Sequence, residues 1–190
     1  MSSLFSPIEL RGLKLSNRIM VSPMCQYSAE GGSATDWHFT HINSLALSGA
    51  AMFCIEATHV EDIGRITPGC LGLYNDACEA ALKRILAAVR KHSSAAVAMQ
   101  LAHAGRKGSS ARPWEGGQQI PIAQGGWQAV APSAVAHKDG EAAPRALDDA
   151  VDLGYVAIVN GPRYINSMGH KYIQALSVCS PGGMVKMVRI

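Results

Sequence analysis

Three short runs of this chain are apolar along their whole length rather than alternating. They lie at Ile19 to Ser22, Ala50 to Ala57 and Ala95 to Leu101. Between them come stretches with helical spacing. One starts at Asp36-Trp37-His38 and runs to Ser48, with Ile42, Leu45 and Ala46 on one side and Gly49 as a stop. The other spans Ala77 to Lys91, capped by Asp76, with Ala81, Leu82, Ile85, Leu86 and Val89 on one face. Continuous apolar strands separated by helices predict a parallel sheet covered on both faces. Ahead of the first strand, Ile8 to Leu15 alternates apolar and polar residues about Gly12, which predicts a small hairpin. Gly and Pro break the pattern between Glu61 and Gly72, where a loop is expected.

The polar and unusual residues gather where the strands end, at Ser22 to Tyr27, Glu56 to His59 and Gln100 to Lys107. In parallel barrels and open α/β sheets that carboxyl edge is where sites are built. The first of these segments, Ser22-Pro23-Met24-Cys25-Gln26-Tyr27, is the most informative. Proline fixes its own φ and drives Ser22 toward an extended conformation, so the thiol and the phenol that follow are aimed in a set direction.

Composition narrows the classes. With 190 residues, 48% apolar and 16% charged, the chain has material for one buried core. A net charge of +3, from 17 basic and 14 acidic side chains without a basic block, implies neither nucleic acid nor an anionic membrane as a partner. Cys25, Cys54, Cys70, Cys78 and Cys179 are odd in number and form no C-x-x-C pair. With no signal peptide and no long apolar run, they predict free thiols in a reducing, cytoplasmic setting. His38 and His41 stand three apart on a helix, a spacing open to metal ligation, but the absence of a matching third ligand favours packing or capping. Arg106 and Lys107 suit either a phosphate or a solvated loop.

Read together, Ser22 to Tyr27, Asp36-Trp37-His38, Glu56-Ala57-Thr58, Gly64-Arg65-Ile66-Thr67-Pro68, Gln100 to Lys107, Arg112-Pro113-Trp114-Glu115-Gly116 and Ala131-Pro132-Ser133 resemble the amino-terminal half of an Old Yellow Enzyme family member. The branch they are most similar to holds xenobiotic reductases and thermostable ene-reductases, and the match runs from about Leu4 to about Leu147. The resemblance implies an α/β fold of the (β/α)8 TIM-barrel family, cut to roughly its first half and preceded by the hairpin. It also implies FMN as cofactor, NADPH or NADH as reductant, and hydride transfer from reduced flavin to the activated C=C bond of an electron-poor alkene or xenobiotic. Ser22, Pro23, Met24 and Cys25 would then lie against the isoalloxazine, with Cys25 tuning its potential. Ala57 would contact the ring through its backbone, Gln100 would bond the pyrimidine edge, and Tyr27 would face the substrate. Such a ring needs a flat apolar bed and an amide that both donates and accepts.

The resemblance covers residues 1–150, and residues 151–190 form a tail that does not follow the family pattern. A (β/α)8 barrel takes about 250 residues. The tail carries no counterpart of the family's carbonyl-binding His pair or phosphate loops, and His170 aligns with neither. Two further readings therefore stand beside the enzyme: a catalytically incompetent half barrel acting through association of its open edges, with itself or with a partner, and an unrelated barrel hydrolase with His38, His41 and His103 around a metal.

Overall fold

The computed structural model describes residues 3–147 and the strand backbones Val178–Ser180 and Gly183–Arg189. The expected hairpin forms from β1 (Ile8–Leu10) and β2 (Leu13–Leu15), paired antiparallel with Ile8 opposite Leu15 and Leu10 opposite Leu13. Arg11 and Gly12 both take positive φ, 48° and 84°, which is the conformation of a two-residue turn that matches strand twist.

Asn17 then sets the start of the main sheet. Its side-chain oxygen accepts from the backbone N–H groups of Ile19 and Ala51, and its amide donates to the Gly49 carbonyl. This joins β3 (Met20–Val21) to β4 (Met52–His59), with Met20 beside Met52 and Val21 beside Phe53 in parallel. The strand β6 (Ala96–Ala102) lies parallel on the other side of β4. A two-residue strand, β5 (Leu71–Gly72), pairs with the end of β4 inside the segment read from sequence as a loop. Two more short strands, β7 (Val130–Ala131) and β8 (Arg145–Ala146), pair with each other in parallel.

Helix α1 (Asp36–Ala46) and helix α2 (Asp76–His92) connect the strands. The α2 cap is Asn75, one residue before the expected Asp76: its side chain accepts from the Cys78 N–H at 2.9 Å. Asp76 and Glu79 in the first turn, and Arg90, Lys91 and His92 in the last, complement the helix dipole. The buried stripe is Cys78, Leu82, Ile85, Leu86 and Val89, while Ala81 stays half-buried. With Ile42 and Ala46 of α1 and Phe53, Ile55 and Met99 of the sheet, this stripe makes the core. Each fully buried aliphatic chain stabilises it by about 1.5–3 kcal/mol.

Beyond β6 the sheet continues through β9 (Val178–Ser180) and β10 (Gly183–Arg189). Strand β10 runs antiparallel to β6, Lys186 opposite Leu101 and Arg189 opposite Ala98. The edge of β6, expected to be open in a half barrel, is therefore covered. On the other side β3 is the outer strand among the described residues. The rest of the 151–190 tail, His170 included, lies outside the described residues.

Candidate functional site

The carboxyl edge of β3, β4 and β6 is where the predicted residues meet. After Val21 the chain leaves regular structure, and residues 22–29 form a loop over that edge. The loop is held at nearly every residue. Gln26 donates from its backbone to Glu56 Oε2 at 2.9 Å and from its side chain to the Met24 carbonyl at 2.8 Å. Trp37 Nε1 donates to Gln26 Oε1 at 3.1 Å, and the Thr35 hydroxyl donates to the Ser28 carbonyl at 3.1 Å. Arg112 Nε, 85 residues further on, donates to the Tyr27 carbonyl at 3.1 Å.

These anchors fix Tyr27 at a φ of 52°, in the left-handed region that bulky side chains rarely adopt. The Tyr27 ring also meets the indole of Trp114 edge-on, with centroids 5.6 Å apart. Gly69 passes so close to the Tyr27 carbonyl that a Cβ there would collide with it. Glycine is required at that crossing.

A β-bulge decides what faces the loop. Register between β4 and β6 shifts between Ile55 and Ala57: Ile55 pairs with Met99 and Ala57 with Gln100, so Glu56 is the extra residue. A bulge re-aims a side chain. Here the carboxylate is turned, almost wholly buried at 5% exposure, toward the Gln26 N–H. Its other oxygen stands 3.4 Å from Nε2 of His38, which is fully buried. His38 Nδ1 accepts from the Thr35 N–H at 3.1 Å, so the ring proton belongs on Nε2, toward Glu56. The depression beside Glu56, lined by Met24, His41, Ile42 and Leu45, has room for about one water molecule.

The same bulge puts Ala57 beside Cys25. The Ala57 N–H and the Tyr27 hydroxyl lie near the Cys25 sulfur. Burial, then the Glu56 charge and Cys70, push the Cys25 thiol up to about 12. Burial, followed by Cys25, Cys70 and Glu56, raises the Tyr27 phenol to about 12 as well. At neutral pH both therefore keep their protons. The cysteine is an S–H group and not a thiolate nucleophile.

Cys25, Tyr27, Ala57 and Gln100 thus converge, the first three as close neighbours at the end of β4 and Gln100 as register partner of Ala57. The Gln100 amide is half-buried and takes no hydrogen bond from the described residues. Ser22 and Met24 are exposed along the loop and Pro23 is half-buried. Four residues given no role from the sequence complete the arrangement, Gln26, Glu56, Arg112 and Trp114, together with His38, which caps the start of α1 as expected. A Glu inside an apolar strand was the one visible signal, since a buried carboxylate demands partners.

The three histidines do not assemble. His38 is committed to Thr35 and Glu56. His103 pairs with Glu61 at 2.9 Å and accepts from the Gly105 N–H. Among the described residues no cluster of three His, Cys, Asp or Glu could hold a metal. Arg106 donates to the Val135 carbonyl and the Ser133 hydroxyl, tying its loop to the Ala131-Pro132-Ser133 segment, while Lys107 is exposed.

The family model of the NADH:flavin oxidoreductase / NADH oxidase family matches residues 3–156. The chain belongs to that family. Among curated relatives, an NADH:flavin oxidoreductase of Gibberella zeae is 42% identical over 142 residues, which are 73% of this chain and 34% of the relative. An NADPH dehydrogenase of Listeria welshimeri is 42% identical over 146 residues, 76% of this chain and 38% of the relative. The chain therefore spans little more than a third of the length of these relatives. Of solved structures, morphinone reductase superposes with a TM-score of 0.66 at 26% identity, over 81% of this chain and 42% of that one. An old yellow enzyme homologue from Zymomonas mobilis, with a TM-score of 0.63 and 24% identity, shows the same fold. The architecture is thus part of an old yellow enzyme TIM barrel, as the resemblance implied. No helix among the described residues is long and apolar enough to cross a membrane.

Proposed function

We propose that this chain carries the flavin-facing edge of an NAD(P)H-dependent FMN oxidoreductase of the old yellow enzyme type, acting on electron-poor alkenes or xenobiotics. The observation that supports this best is the bulge-driven meeting of Cys25, Ala57 and Gln100 on one sheet edge. The donor set suits an isoalloxazine: a Gln100 amide with no hydrogen bond among the described residues, the Ala57 backbone, a neutral thiol at Cys25 and the exposed Met24 on the same loop as Cys25. FMN, when bound, supplies the hydride store that NADPH or NADH fills and an activated C=C bond empties.

The chain's own residues then have separable tasks. Gln100 holds the pyrimidine edge, with Ser22, Pro23 and Met24 as the bed. Cys25 offers an S–H donor whose hydrogen bond adjusts electron density in the ring. Tyr27 keeps its phenolic proton at neutral pH and can present it at the hydroxyl oxygen to a substrate. Its φ of 52° and the Arg112, Gly69 and Trp114 contacts hold that oxygen in one place, which is the positional requirement of hydride and proton delivery.

The test is an absorbance spectrum after incubation with FMN and removal of free flavin, followed by anaerobic NADPH. A retained band that bleaches is the expected result. A colourless, self-associating protein would instead support the half-barrel reading, in which the outer strand β3 pairs with another chain.

A further inference from the structure

Burying a carboxylate in a sheet otherwise filled by Phe53, Ile55 and Met99 is unfavourable unless both oxygens have partners. Glu56 is held at one oxygen by a hydrogen bond, the Gln26 N–H on Oε2, and at the other by proximity: Oε1 stands 3.4 Å from His38 Nε2, a buried nitrogen that makes no hydrogen bond among the described residues. An amide side chain would keep an acceptor for the Gln26 N–H but lose the charge beside His38, and an apolar one would lose both. The register supports the same conclusion, since Glu56 is the residue that the β4 bulge exists to accommodate. His38 is in turn fixed by the Thr35 N–H at the start of α1, so the helix terminus, the strand bulge and the loop form one chain of contacts.

We infer that Glu56, oriented by His38, is the positioning residue of this site: it clamps the loop carrying Cys25 and Tyr27 onto the end of β4 and sets its carboxyl group behind the Cys25 thiol. The inference rests on the proposed function for the purpose of the clamp, though not for its physics. The groups facing Cys25 are Glu56 and the Ala57 N–H from β4, Cys70 from the segment before β5, and Tyr27 from its own loop. Of these, Glu56 is the largest electrostatic influence keeping the thiol protonated, after burial itself. Cys54, on the same strand, is raised to about 11 by burial and serves as an internal reference.

The experiment uses the full chain without flavin. Alkylation by iodoacetamide is followed at the Cys25 and Cys54 peptides across alkaline pH, and amide hydrogen exchange is followed over residues 24–28. In Glu56→Gln, Cys25 alkylation at about pH 8 should rise about three- to tenfold, with Cys54 unchanged. His38→Gln keeps a helix-starting side chain but withdraws the ring from Glu56, and should speed exchange over residues 24–28 about three- to tenfold, with β4 unaffected. Unchanged Cys25 kinetics in Glu56→Gln, or equal acceleration at Cys25 and Cys54, would overturn the inference. So would unchanged exchange in His38→Gln, which also decides the matter if Glu56→Gln does not fold. A chain that fails to retain FMN can still pass both assays, and one that retains it can still fail them.

Discussion

Where the sheet meets its helices, Phe53, Ile55 and Met99 pack on Leu82, Ile85, Leu86 and Val89, all apolar and nearly all fully buried. At its carboxyl edge the same strands bury His38, Glu56, Thr58, His59 and Thr67, and support a tyrosine at positive φ. The first region follows apolar periodicity and is insensitive to the direction of any one bond. The second depends on named donors and acceptors, so its integrity is a matter of position and protonation. Stability resides mainly in the helix face and specificity in the edge.

That division can be broken by mutation. Ile85→Ala removes a fully buried side chain at the centre of the helix face. It should cost about 2–5 kcal/mol in chemical denaturation, leaving Cys25 alkylation in the folded fraction at the parent rate. A changed Cys25 rate would show the two regions to be coupled.

The edge has its own pH signature. His59 is fully buried, its Nδ1 on the Leu71 carbonyl, and burial pushes it down to about 4 from an ordinary 6.5. A base held neutral in the fold binds its proton more readily when unfolded. Its stabilising contribution is therefore complete above about pH 6.5 and disappears as the pH falls through about 4, a loss of about 3 kcal/mol. Denaturation midpoints from pH 7 to pH 4 should fall more steeply in the parent than in His59→Gln.

Gly69→Ala sharpens the comparison at one crossing. The added Cβ strikes the Tyr27 carbonyl, so a cost of about 1–3 kcal/mol is expected, with faster exchange over residues 24–28 and little change in α2. An unaltered loop would mean that the crossing tolerates more than its geometry allows. Trp114→Ala should have the smallest effect, within about 0.5 kcal/mol, because the indole is 67% exposed. Under the proposed function its expected consequence is a shift in which alkenes are accepted, read as relative turnover of small and bulky substrates by the flavin-loaded protein.

The same division explains what the sequence made legible. The helix that became α2 was readable because burial repeats at helical spacing, and the strand at Ala50 to Ala57 because its apolar run is unbroken. Pro23 and the residues after it were readable as a fixed loop because a rigid turn follows an apolar run. What escaped was decided at long range. Arg112 reaches Tyr27 across 85 residues, and no local pattern announces it. The bulge at Glu56 is a property of two paired strands and not of either one. Strands β5, β7 and β8 are two residues long, below the length at which alternation carries a signal. Asn75 and Asp76 are both competent caps, and only the backbone at the turn selects Asn75.

The most direct test of the account is protection of Cys25 by flavin. The chain is titrated with FMN and Cys25 alkylation is followed by peptide mass, with Cys54 as reference. The account predicts that saturating FMN suppresses labelling of Cys25 in step with quenching of flavin fluorescence, while Cys54 is unmoved. Flavin that binds, quenches and leaves Cys25 labelling at its original rate would place the cofactor elsewhere and contradict the assignment of this edge.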